Sequence, residues 1–263
     1  MSCIKDFIAR RGNAFFSVLS IFGVFILWSL CGSLNLIDPI ILPPLGEVWG
    51  TALDMLFASD KQTALPIHIA VSLARSGTAF VLAILIGIPL GLAMGVFPRF
   101  GALMEPFTQF VRPLPKLALI PLVILWLGIG ESSKVFLIFI SAFFSIVVGA
   151  AAATQNVKTQ RLRLAQALGA TPYQQIRYFV LPSALPEIFT AVRISIGVGW
   201  TTLVAAEMVA ASSGLGWLVM NASNYLRTDI VMLGILVLGG IGYLLDLIIV
   251  TLQRSFVPWT GKD

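Results

Sequence analysis

Apolar residues run along this chain in blocks of about twenty, and most polar and charged residues gather in the gaps between them. At about 1.5 Å rise per helical residue, such a block matches the roughly 30 Å hydrocarbon layer of a bilayer. The pattern predicts six membrane helices, near 15–34, 76–97, 108–129, 134–153, 188–211 and 230–252. The third carries Pro113, Pro115 and Pro121, which predicts a kinked or tilted entry from about residue 101. Strand signals are weak and the apolar runs long, so the spans are helices rather than barrel strands. The expected fold is all-α, a polytopic membrane helix bundle.

Composition agrees. The 263 residues are 58% hydrophobic and 11% charged, against roughly 25% charged in soluble domains. The net charge of +5 reads as topogenic charge, because no run of five to eight Lys/Arg marks a nucleic-acid surface. Cys3 and Cys31 are too few for a metal site or a disulfide framework. Lys5, Arg10 and Arg11 precede the apolar run from Ala14 to Leu34, and no small-residue cleavage site closes it, so it reads as a retained anchor helix.

Charge in the loops orients the bundle. With a cytoplasmic N-terminus, thirteen bases lie inside: Lys5, Arg10, Arg11, Arg99, Arg112, Lys116, Lys158, Arg161, Arg163, Arg177, Arg193, Arg254 and Lys262. Four lie outside: Lys61, Arg75, Lys134 and Arg227. Both termini are therefore expected in the cytoplasm. The chain divides into a tail and anchor helix over 1–34, an external connector over 35–75, and a core over 76–259. The connector is expected to hold an amphipathic helix around 45–58, and the lone His68 reads as a surface or interface residue. Gly87, Gly91 and Gly95, four apart, predict close approach of two helix backbones.

The cytoplasmic loop, about 155–186, contains "LAQALGATPYQQIRYFVLP" (164–182). Leu164, Ala165 and Leu168 make one apolar helix face, and Gly169 is a left-handed stop. Thr171 is an N-cap, Pro172 fits the first turn, and Gln174 completes a capping box. A second short helix follows, with Tyr173, Ile176 and Val180 on one face and Pro182 as its end. The tip, Gly169, Ala170 and Thr171, is small and uncharged, which suits insertion into a protein cleft rather than a lipid surface.

This segment resembles the cytoplasmic coupling loop of permease subunits of ATP-binding cassette importers. That motif reads Glu-Ala-Ala, three residues, Gly, nine residues, Ile, one residue, Leu-Pro. Ala165, Gly169, Leu181 and Pro182 match it, whereas Arg163, Leu164 and Phe179 depart from it. The stretches "RPLPKLALIPLVILWLGIGESSK" (112–134), "LPSALPEI" (181–188) and "GVGWTTLVAAEMVAASSGLGWLV" (197–219) are similar to the taurine, alkanesulfonate and nitrate permeases, most of all to the taurine members. The resemblance implies a type I importer permease fold in the bacterial cytoplasmic (inner) membrane. It implies a second permease subunit, with a homodimer favoured, cytoplasmic ATPase subunits, an external solute-binding protein and membrane lipid as partners, and no nucleic acid. It assigns coupling to the ATPase to Arg163, Ala165, Gln166, Ala167, Leu168, Gly169, Ala170, Thr171 and Pro172. No cofactor is expected on this chain: it has no G-x-x-x-x-G-K-[ST] loop, and "GIGESSK" (128–134) has the wrong spacing. ATP and magnesium would sit on the partner ATPase. No catalytic or metal-ligating residues are expected.

Charges inside spans are expensive and point to function or to a buried partner. Glu207, with Trp200, Thr201 and Thr202 nearby, either lines a translocation route or hydrogen-bonds within the helix packing or with a partner subunit. Asp246 is expected to pair with a base such as Arg193. Gly197 and Gly199 thin the helix before Trp200, for packing or as a hinge. The rival class is an ion-coupled secondary transporter, but the inverted repeats common there are absent. Within the permease class, another alkanesulfonate, nitrate or a related small anion is the alternative cargo to taurine.

Overall fold

The computed structural model describes residues 19–259 apart from 21, 35, 59, 61 and 62. The start of the first expected span, Cys3, Lys5, Arg10, Arg11, Lys61 and Lys262 lie outside the described residues. The described residues form helices and no strands. A short apolar helix α1, Phe22–Ser33, is followed by α2, Leu45–Leu56, which lies where a helix is expected over 45–58. Among the described residues, four helices are long and apolar enough to cross a membrane. These are α3 (Leu65–Val96), α6 (Glu131–Gln155), the continuous run Pro172–Ala210, and α11 (Thr228–Phe256). A bent pair, Pro98–Val111 (α4) and Lys116–Leu127, makes up to a fifth span.

Two of the expected spans change. The second opens at Leu65 instead of near 76, so His68 and Arg75 belong to α3 and not to a loop. Hydropathy misplaces this boundary because His68, Ser72 and Arg75 interrupt the apolar run. They share one helix face, which is buried. The third is not one kinked span. Its halves meet at 87° across residues 112–115. Pro113 and Pro115 remove two backbone donors there, and Lys116 turns back to donate to the carbonyls of Val111 (3.0 Å), Arg112 (2.5 Å) and Leu114 (2.9 Å). After a 3₁₀ turn at Lys116–Leu119, α5 runs from Ile120 to Leu127.

The chain separates into two compact units. One comprises the described residues up to Leu65 with Val219–Leu236, and the other comprises Pro66–Leu218 with the described residues from Val237 onward. In the first, the Trp28 indole donates to the Pro43 carbonyl at 2.9 Å. Thr51 donates to Asp229 at 2.7 Å, and Asp229 also pairs with Arg227 at 2.7 Å. That neighbouring carboxylate holds the Arg227 guanidinium above its ordinary pKa.

In the second unit α6 is the centre. Ile138, Ala142, Ile146 and Ala150 on α6 pack with Ala79, Phe80 and Ala83 of α3 and with Ala184, Ile188 and Leu203 of the following helix α9 (Leu181–Ala210). In a bilayer such packing relies on close van der Waals fit, because lipid tails are as apolar as the side chains. The glycine ladder does what its spacing predicts. A Cβ on Gly91 would meet the Val147 carbonyl oxygen at 2.5 Å, and one on Gly95 would meet Thr154 at 2.5 Å. The backbone of α3 therefore lies directly against α6.

Candidate functional site

Between α6 and α9 the chain builds an elbow. Helix α7, Thr159–Ala167, stops at Gly169, whose φ of 73° only glycine adopts freely. The stop is a complete Schellman motif: the Ala170 N–H donates to the Ala165 carbonyl at 3.0 Å and the Gly169 N–H to that of Gln166 at 2.9 Å. Helix α8, Pro172–Gln175, then starts on a capping box. The Thr171 N–H donates to Gln174 Oε1 at 2.8 Å, and the Gln174 N–H donates to Thr171 Oγ1 at 3.4 Å. Gln175 Nε2 adds a bond to the Ala170 carbonyl at 2.8 Å. Both helix ends at the corner are thus satisfied, which stiffens it.

Pro182 does not end the second helix, contrary to expectation. A π turn at Ile176–Val180 carries α8 straight into α9. The wider π turn immediately before Pro182 takes up the mismatch of its ring and missing N–H, so the helix continues through it. The elbow is therefore continuous with a helix of 39 residues, Pro172–Ala210.

The apolar faces also divide. Ala165 is fully buried and Val180 nearly so, while Leu164, Leu168 and Tyr173 are exposed, Leu168 at 71% and Tyr173 at 66%. Arg163, Gln166, Ala167, Gly169, Thr171 and Pro172 are exposed as well, and Ala170 is half-buried. Arg161 ties α7 to α9 through Ser183 Oγ at 3.0 Å. The corner thus stands on the bundle through Ala165 and Arg161 and presents an apolar surface outward.

The four residues expected along a pathway do not share a face. Trp200 and Thr202 are buried, Thr201 is exposed, and Glu207 is wholly buried. The Trp200 indole donates to the Leu238 carbonyl at 3.2 Å, and both threonine hydroxyls turn back to the Val198 carbonyl, at 2.8 and 3.0 Å.

Of the alternatives for Glu207, the geometry gives packing within the chain. Ser72 Oγ lies 2.8 and 2.9 Å from its two oxygens, Arg75 Nη1 donates at 2.8 Å, and the Gly216 N–H donates at 2.9 Å. Arg75 also forks onto Glu131 and donates to the Ser213 carbonyl at 2.7 Å, and Lys134 reaches Glu131 at 3.1 Å. The network caps helix α10, Leu215–Asn224. The N–H groups of Gly214, Leu215 and Gly216 donate to His68 Nδ1 (3.1 Å), Ser72 Oγ (2.9 Å) and Glu207 Oε2. A carboxylate at a helix N-terminus is further favoured by the helix dipole. His68, expected at a surface or an interface, is buried within the chain and stacks on Trp217 with ring centroids 5.4 Å apart. Glycine is required at 214, with φ 115°, because a Cβ there would run into the Glu207 carboxylate.

Sequence reasoning missed Ser72, Arg75, Glu131 and the cap of α10. The available signal was the spacing of His68, Ser72 and Arg75 at i, i+4 and i+7. It reads as one polar helix face once α3 is known to start at Leu65. The second intramembrane charge behaves as expected: Asp246 forms a two-pronged ion pair with Arg193, through Nε and, at 2.7 Å, through Nη2.

With these sites described, comparison with known proteins places the chain. Residues 83–262 match the family model described as "Binding-protein-dependent transport system inner membrane component". The chain is 43% identical over 236 residues to the taurine transport system permease protein of Escherichia coli strain K12, covering 89% of this chain and 86% of that one. It is 36% identical over 265 residues to the putative aliphatic sulfonates transport permease protein of the same strain, covering 97% and 94%. Among solved structures it superposes on the MetNI methionine ABC transporter in an inward-facing conformation, with a TM-score of 0.65 at 20% identity, covering 76% of this chain and 99% of that one.

Proposed function

This chain belongs to the family of inner membrane components of binding-protein-dependent transport systems, and on that footing we propose that its cargo is a small sulfonate, taurine before others. It is a multi-pass permease subunit of an ATP-binding cassette importer with the type I fold, and that membership implies a binding protein and an ATPase as partners. The observation that carries the cargo is the likeness, over most of both chains, to a taurine permease. The sulfonate permease relative favours the neighbouring reading, an aliphatic sulfonate without the amine.

In this reading two identical copies form the pathway and both termini face the cytoplasm, as the excess of bases in the loops expected inside suggests even with Arg75 and Arg193 set aside as helix residues. The elbow at 163–172 enters a cleft on the ATPase, which holds the nucleotide and magnesium. Its suitability is mechanical. Driving an alternating-access equilibrium from 1:99 to 99:1 takes about 5.5 kcal/mol of differential binding. A corner with satisfied helix ends, continuous with the helix Pro172–Ala210, passes such a bias into the bundle without deforming. Exposed Leu164, Leu168 and Tyr173 supply apolar contact.

Gly169→Asp tests the coupling. At φ 73° an aspartate is strained but meets nothing within 4 Å, so the bundle still folds. The variant importer, reconstituted with its ATPase and binding protein, is expected to hydrolyse ATP without substrate uptake. Normal uptake would remove the elbow from the coupling role. Uptake of taurine by the wild-type assembly tests the cargo.

A further inference from the structure

The Arg193–Asp246 pair lies well inside two membrane-spanning helices and is nevertheless exposed. Arg193 lies about 18 Å along α9 from Leu181, and Asp246 about 15 Å along α11 from Phe256, at 1.5 Å per residue. The start of α9 and the end of α11 lie on one side of the bundle. The Trp259 indole donates to the Pro182 carbonyl at 3.3 Å and Gln253 donates to that of Pro186 at 3.4 Å. The pair therefore lies about three turns inside two helices that are long and apolar enough to cross a membrane, yet the Arg193 and Asp246 side chains are 47% and 35% exposed. Charged groups at such depth face protein or a water-filled cavity, not lipid.

Beside the pair is a cleft of about 190 Å³, lined by Trp200, Gly197 and Gly242 among others. A Cβ on Gly197 would meet nothing within 4 Å, so the cleft is open there. A Cβ on Gly242 would lie 3.3 Å from the Trp200 ring, so the bare backbone lets the indole lie against α11. The cleft thus offers a guanidinium, a carboxylate and an aromatic wall within one small volume.

We propose that this cleft is a transit site for a zwitterionic aminosulfonate, in which the substrate replaces the ion pair: its sulfonate takes Arg193 and its ammonium takes Asp246. The guanidinium presents two parallel N–H groups, and these now hold both Asp246 oxygens. The same fork fits two oxygens of a sulfonate. The exchange is neutral for neutral, so no net charge is added to the layer. A plain sulfonate entering the same way leaves Asp246 unpaired and strands a charge, which is strongly disfavoured. The site therefore selects for the amine as well as the sulfonate. The inference rests on the sulfonate reading above and sharpens it.

The test is alkylation of Gly197→Cys in the purified permease–ATPase complex in nanodiscs, without binding protein, followed on the peptide that carries residue 197. Taurine is expected to slow the reaction at least fivefold. Ethanesulfonate and ethylammonium at equal concentration are expected to leave it unchanged, and Asp246→Asn is expected to abolish the taurine effect. A merely structural clasp between α9 and α11 gives no ligand-specific protection. A thiol that never reacts, that taurine leaves unprotected, or that ethanesulfonate protects equally overturns the site. Wild-type uptake of taurine in liposomes, measured alongside, separates the outcomes. Uptake without protection refutes this site alone, whereas no uptake refutes the substrate reading with it.

Discussion

Replacing Glu207 with glutamine keeps the volume and removes one charge. The two carboxylate oxygens accept from Ser72, Arg75 and the Gly216 N–H. A glutamine offers one oxygen and one NH₂ group, so whichever way it points a donor faces a donor. An unpaired buried donor costs about 1–3 kcal/mol, and removing one partner of a buried ion pair about 3–5 kcal/mol. These overlap and do not add. Arg75 keeps Glu131 and the Ser213 carbonyl, so the lower end applies, about 3 kcal/mol. At about 2–4 °C per kcal/mol, the unfolding midpoint falls by roughly 6–12 °C. A thermal scan of intrinsic tryptophan fluorescence in detergent reads this directly, since Trp217 stacks on His68 of the same network. The double variant Arg75→Met with Glu207→Leu removes both charges. Its loss is expected to fall short of the sum of the single losses by at least about 1.5 kcal/mol, because neither variant then strands a charge. A Glu207→Gln midpoint within about 2 °C of wild type, or strict additivity in the cycle, would show that the pair does not carry the packing assigned to it.

Thr171→Ala removes half of the capping box and is expected to weaken the elbow by about 1 kcal/mol. Faster amide exchange confined to residues 173–175, with the global midpoint unchanged, is the readout. Gly91→Leu drives a side chain into the Val147 carbonyl and Ala150. It is expected to abolish the monodisperse peak in size-exclusion chromatography, whereas Gly50→Ala, at a position with nothing within 4 Å, leaves it intact. Lys116→Met strips the carbonyls of Val111, Arg112 and Leu114 of their shared donor. Loss of two or more charge-assisted bonds at about 1.5 kcal/mol or more each should lower the midpoint, and Lys116→Arg should restore part of it.

Much of this protein follows from local sequence. Apolar block length places helices α6, α9 and α11 to within a few residues at most ends, because a bilayer demands a fixed length of apolar surface and satisfied backbone from each. The elbow is equally local. Gly169, Thr171, Pro172 and Gln174 act within one turn of each other, so their hydrogen bonds are determined before any long-range contact forms. The glycine spacing on α3 likewise implies a close neighbour. The tertiary structure decides what depends on distant partners. Arg75 looks like a loop charge until Glu131 and Glu207, far along the chain, make its burial affordable. His68 and Ser72 acquire roles only when the start of α10 arrives to donate to them. Pro182 reads as a helix stop in isolation, yet the π turn before it lets the helix continue. The reason is common to all three: a polar or helix-breaking residue has a fixed local preference, but its net cost depends on whether another segment satisfies the groups it leaves open.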